Sequence, residues 1–141
     1  MSNEIKNRVS QSSIKTIDLE EFYPKGKREF VDLSQWLENG LILREKEFRK
    51  NIESHKWISY EDKFVAIGCS NNAILPSWAP LVVASHLEPF ARKIVHGSLK
   101  ELENNIIVDI IRTFDTNPYK DKPVMIKGCS DNSIPENVYV Q

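Results

Sequence analysis

The chain holds two cysteines, and both stand in the same tripeptide, Gly68-Cys69-Ser70 and Gly128-Cys129-Ser130. A thiol between a strand and a helix has several uses. As a thiolate it binds a thiophilic metal or acts as a nucleophile, and with a second thiol it forms a redox disulfide. It also packs as a small apolar residue. Cys69 and Cys129 are therefore the candidate catalytic or redox thiols. With His96 they make a tentative three-ligand set for zinc or another thiophilic metal, its fourth position open to water or an outside ligand. The flanking Gly68, Ser70, Asn71 and Asn72, and Gly128, Ser130, Asp131 and Asn132, are the candidate ligand-binding residues. Their hydroxyl, amide and carboxylate groups either brace a turn or contact a bound molecule. No general base is visible beside either serine, so the sequence leaves open whether the protein is an enzyme.

The tripeptides belong to two longer copies of one pattern, Asp62-Lys63 to Pro76 and Asp121-Lys122 to Pro135. With Lys127 gained before the second glycine and one residue lost before the second proline, Asp, Lys, Val, Ile, Gly, Cys, Ser, Asn, Ile and Pro fall in register. Each copy reads as a short apolar strand, a tight turn and the start of a helix. The helix N-terminus offers free N–H groups and partial positive charge, which suit a small anion and a thiolate.

The elements that must position these loops alternate. Lys63 to Ile67 is a strand of the kind buried on both faces. A helix from about Pro76 is apolar nearly all round, is expected to be buried, and ends at Pro89. Arg92 to His96 is a second strand. Ser98 and Glu101 form a capping box that opens a helix with apolar residues at helical spacing to Phe114. Lys122 to Lys127 is a third strand, and Pro135 begins what should be another helix. Parallel strands joined by right-handed crossovers in the order 2-1-3 would set Cys69 and Cys129 beside one crevice at the strands' carboxyl ends, with His96 on the same edge.

The fold expected is thus α/β, a three-layer parallel-sheet core of strand order 2-1-3 over residues 61–141. Residues 13–60 form an α/β N-terminal extension packed on it, and residues 1–12 a flexible start. Within the extension, Ser13 to Leu19 alternates as a strand and Arg28 to Asp32 pairs back on it as a hairpin. Asp32 or Ser34 caps a short helix over Gln35 to Asn39, stopped by Gly40, and a second helix covers Arg44 to Ser54. The last helix, begun at Pro135, leaves one face of the sheet uncovered. A homo-oligomer, another partner or a longer chain is expected to close it.

Composition limits the partners. The 141 residues carry a formal net charge of −1 and a pI near 6.3, so no overall field favours nucleic acid or an anionic membrane. The start lacks a signal peptide's apolar core, and no apolar run is long enough to span a bilayer. A cytoplasmic protein with reduced thiols is expected. P-loop, G-x-G-x-x-G and C-x-x-C patterns are absent. The order of readings is a binding module for a small anion or metal, then a cysteine-dependent enzyme, then an interaction scaffold with packing cysteines.

Four stretches carry a resemblance across nearly the whole chain. They are Phe22-Tyr23-Pro24; Trp36-Leu37 through Gly40-Leu41-Ile42-Leu43, Glu45-Lys46 and Phe48-Arg49; Lys63-Phe64-Val65-Ala66-Ile67 with Cys69-Ser70; and Val124, Ile126-Lys127-Gly128-Cys129-Ser130. In these the chain resembles an uncharacterised family, a domain of unknown function of Bacteroidetes-type bacteria. The resemblance implies no reaction. It implies a chain continuing past Gln141 through a further helix and strand to a third Cys-Ser and a basic tail. It also implies an aromatic residue where this chain has His96.

Overall fold

The computed structural model describes residues 14–128 and 134–141. Five strands appear among them, all paired in parallel, in a two-stranded and a three-stranded sheet. The fold is mixed α/β. Two compact units emerge, a central one over Lys25–Ile106 and a split one made of residues up to Pro24 together with Ile107–Gln141. This grouping differs from a division at residue 60.

In the central unit, β2 (Arg28–Asp32), β3 (Phe64–Gly68) and β4 (Lys93–His96) lie in the order β2-β3-β4. Phe64, Val65, Ala66 and Ile67 are all buried, as the continuous apolar run requires of a strand covered on both faces. Alternation divides them. Val65 and Ile67 join Val31 in a cluster with Phe48 and Ile52 of α1 (Glu45–Ser54) and Ala79, Val83 and Leu87 of α2 (Trp78–Leu87). Phe64 is flanked by the guanidinium groups of Arg28 and Arg92, 4.8 and 4.7 Å from its ring centre.

α1 and α2 each show one buried stripe. In α1 only Phe48 and Ile52, one turn apart, are buried, and burying such a side chain contributes about 1.5–3 kcal/mol. α2 departs from the all-round burial expected of it, for Leu81 is 69% exposed. The reason is position. β4 is the last strand of its sheet, and the flank of α2 beyond it faces an open recess of about 560 Å³ lined by Pro80, Leu81, Ala84, Ile94 and His96. α3 (Leu99–Arg112) opens on the expected capping box, in which Glu101 N–H donates to Ser98 Oγ at 3.1 Å and Ser98 N–H to Glu101 Oε2 at 2.6 Å.

In the split unit, β1 (Lys15–Asp18) pairs with β5 (Val124–Lys127) over a cluster of Leu19, Ile107, Val108 and Val138. Two expectations fail here. β2 does not fold back on β1 as a hairpin, because a 3₁₀ turn, Leu19–Phe22, follows β1 directly and β2 hydrogen-bonds in parallel with β3. Nor does the order 2-1-3 hold. The place beside β3 opposite β4 belongs to β2, and β5 pairs with β1. The segment from β2 to β3 contains α1 and has the length of a crossover unit, which the reading of residues 13–60 as an extension overlooked. Two short helices also come out differently. Residues Leu33–Trp36 form a 3₁₀ turn before a bridge between Glu38 and Ile42, and Glu136–Val140 is 3₁₀.

The two units match in local structure. β1 and β2 each end in an aspartate, Asp18 or Asp32, that caps a 3₁₀ turn by accepting the N–H two residues on. β5 and β3 are each preceded by a Tyr-x-Asp-Lys turn, with Asp121 at φ 57° and Asp62 at φ 56°. In each turn the lysine N–H bonds the tyrosine carbonyl, at 3.2 Å for Lys122 and 3.1 Å for Lys63. Ile17 faces Ile126 in one register and Val31 faces Ile67 in the other.

Candidate functional site

β3 ends at Gly68, directly opposite Asp32 at the end of β2. The approach there is close, since a Cβ on Gly68 would lie 2.8 Å from the Phe30 ring and 3.1 Å from the Gly97 carbonyl oxygen. Only glycine fits without movement. Beyond it the chain turns through Cys69, Ser70, Asn71 and Asn72.

Asp32 holds this turn. Its Oδ1 accepts the N–H of Ser34 at 3.0 Å, capping its own 3₁₀ turn, and the N–H of Ser70 at 3.1 Å across the strand ends. The hydroxyls of Ser34 and Ser70 lie 3.1 Å apart. Partial burial, the largest single influence, would raise the Asp32 pKa. Hydrogen bonds from the hydroxyls and amides of Ser70 and Ser34 together outweigh it and lower the pKa from 3.8 to about 2. Asp32 is thus a full negative charge at neutral pH.

The far side of the turn is tied as well. Asn71 Nδ2 donates to the Gly40 carbonyl at 2.9 Å, and Gly40, at φ 72°, leaves no room for a side chain beside that amide. Asn72, Ala73, Ile74 and Pro76 then line a recess of about 470 Å³ with Leu41, Ile42 and Leu43. Ile74 is 95% exposed, and Leu41 and Ile42 are about half exposed. The loop after β3 therefore carries Ser70, whose hydroxyl meets that of Ser34 beside the Asp32 carboxylate, and continues into one wall of an apolar recess.

The other predicted residues are distributed differently. Cys69 is a free thiol, half-buried, packed against the core cluster of the central unit. His96 is exposed at the end of β4 and lines the recess along α2 instead of the one beside Asn72. Gly128 sits where a Cβ would lie 2.5 Å from Tyr139 Oη. Cys129, Ser130, Asp131 and Asn132 lie outside the described residues. The argument that set Cys69 and Cys129 side by side required β5 next to β3, whereas among the described residues β3 pairs with β2 and β4, and β5 with β1. Among the described residues no group of three or more His, Cys, Asp or Glu side chains is placed to hold a metal, and no helix is long and apolar enough to cross a membrane.

Sequence reading missed Asp32 and Ser34 as parts of the site, assigning them only to a helix cap. A signal for them existed. Ile17-Asp18-Leu19 with Phe22 and Val31-Asp32-Leu33 with Trp36 are two copies of one pattern, and each precedes a parallel partner strand that runs into Gly-Cys-Ser.

No curated protein and no solved structure matches the chain. Residues 3–141 match the family described as Protein of unknown function (DUF2480), and the chain belongs to that family.

Proposed function

We propose that the protein is a small-ligand binding module whose site is the loop after β3. The observation that carries this reading is the Asp32 carboxylate bound to the amides of both Ser34 and Ser70. It fixes two hydroxyls at the carboxyl end of a parallel sheet, where open α/β sheets take their ligands. The adjoining apolar recess suits a ligand with an apolar body and a hydroxyl or amine end. The ionised Asp32 favours such a neutral or cationic end over the small anion expected from the loop sequence. Fragment screening by NMR tests the proposal. A fragment should give saturable shifts at the amides of Ser70 and Asn72 and at the Ile74 methyls, and Ile74→Asp should abolish them. A screen with no saturable shift at these positions would overturn it.

The packing of Cys69 against the core favours a second reading in which the thiol is a small apolar residue. Under it Cys69→Ala costs about 1 kcal/mol of stability and leaves ligand binding unchanged.

A further inference from the structure

In the central unit β4 pairs with β3 on one side and has no strand neighbour on the other among the described residues. Such an edge is a template for further pairing. The centre of β4, Ile94-Val95, carries neither charge nor proline and keeps a regular register with β3. The Arg92 N–H bonds the Lys63 carbonyl at 2.8 Å. By alternation along a parallel strand, the N–H and C=O of Val95 therefore face the open edge.

Above this edge lies the recess of about 560 Å³ along α2. Its wall is Leu81, Ala84 and Ser85, with Glu88 at the C-cap of the helix, and its floor is Ile94 and His96. α2 contacts both β3 and β4, so it lies over that strand pair. As the crossover between two parallel strands it runs against them, which sets Glu88 by the start of β4 and His96 at its end. The recess thus has an apolar middle, a carboxylate at one end and an imidazole at the other.

We propose that this edge is the two-fold interface of a homodimer. β4 pairs antiparallel with β4 of a second copy, and the two α2 helices lie side by side on one face of the joined sheet. Two features select a second copy as the occupant. The first is spacing. Neighbouring strands about 4.8 Å apart place two helices, each over its own β3–β4 pair, about 10 Å from one another. Packed helices lie about 8–10 Å apart. The second α2 therefore fills the recess, where Leu81, 69% exposed in the single chain, becomes buried. The small side chains of Ala84 and Ser85 permit the approach. The second feature is charge. A two-fold axis normal to the sheet inverts the recess, so that the Glu88 end of each copy meets the His96 end of the other. Apolar middle meets apolar middle, and each end meets its complement.

Sedimentation equilibrium of the full chain in reducing buffer tests the proposal, and a monomer–dimer equilibrium is expected. Leu81→Asp should weaken dimerisation by about tenfold or more, because a carboxylate would be buried unpaired. Glu88→Lys and His96→Glu should each weaken it by about two- to fivefold, and the double variant should restore it. Urea unfolding of each variant verifies that it is folded. Exchange of the Val95 amide, followed by NMR, should slow as the dimer forms. Monomer at every concentration up to the solubility limit would overturn the proposal. So would a dimer indifferent to Leu81→Asp, a double variant no tighter than the single ones, or Val95 exchange that ignores dimerisation.

Discussion

The carboxylate of Asp32 accepts the N–H of Ser70 at 3.1 Å, so the last residue of β2 fixes the direction in which the chain leaves β3. One side chain thereby serves two loops, its own 3₁₀ turn and the turn that contains Cys69.

This bond has a pH signature. The folded-state pKa of Asp32 is lowered from 3.8 to about 2, so its contribution is complete above the unfolded value and is lost as pH falls through the folded one. Solvent access reduces what a shift of that size would otherwise give, and Asp32→Asn is expected to cost about 1–2 kcal/mol at pH 7. Urea unfolding of both proteins between pH 7 and pH 2.5 measures the gap. It should narrow as pH falls from about 4 to about 2, and a constant gap would exclude the carboxylate's charge as the cause.

A second titration involves His55. Its ring lies 5.2 Å from Trp36, 4.7 Å from Trp57 and 5.7 Å from Tyr60, and its Nε2 is hydrogen-bonded to Tyr60 Oη at 2.9 Å. Trp57 also stacks on His86 of α2, with ring centres 5.4 Å apart. Burial lowers the His55 pKa below 6.5, and burial, then Glu29, raises that of Tyr60. A depressed folded-state pKa means that the unfolded chain takes up the proton first. Stability should therefore be flat above about pH 6.5 and fall below it. His55→Phe should flatten that slope between pH 7 and pH 5, read by urea unfolding followed through tryptophan emission.

The capping box of α3 offers a test of local stability. Ser98→Ala should cost about 0.5–2 kcal/mol and speed amide exchange in the first turn of α3. Gly97 has φ 153°, and a Cβ there would collide with the Glu101 carboxylate. Gly97→Ala should therefore cost at least as much, since the carboxylate must leave the cap. Equal exchange in the wild-type and variant first turns would remove the cap from the account.

What the sequence disclosed depended on how local the cause was. The capping box, α1 and the buried run of β3 each rest on neighbours in the chain, and each was legible. Strand pairing was not. Arg28 to Asp32 reads equally well as a hairpin partner of β1 or as a parallel partner of β3, because the choice depends on whether α1 is a crossover. The exposed flank of α2 was hidden for a related reason. An apolar surface cannot report that β4 is the last strand of its sheet. Cys69 was found by its repetition, while Asp32, which holds the turn around it, was hidden because capping and bracing use the same carboxylate oxygen.

The pairing of β1 with β5 bears on how the chain acquires its structure. Lys15 meets Val124 across more than a hundred residues, whereas the partners in the central sheet all lie between Lys25 and Ile106. Closing the longer loop costs more entropy and is slow. On a ribosome, β1 emerges long before its partner β5 and must wait for it, while β2, β3 and β4 of the central unit are already made. Pulsed hydrogen exchange should accordingly find β2, β3 and β4 protected before Ile17 and Ile126. A strand made before β2 is locked after it.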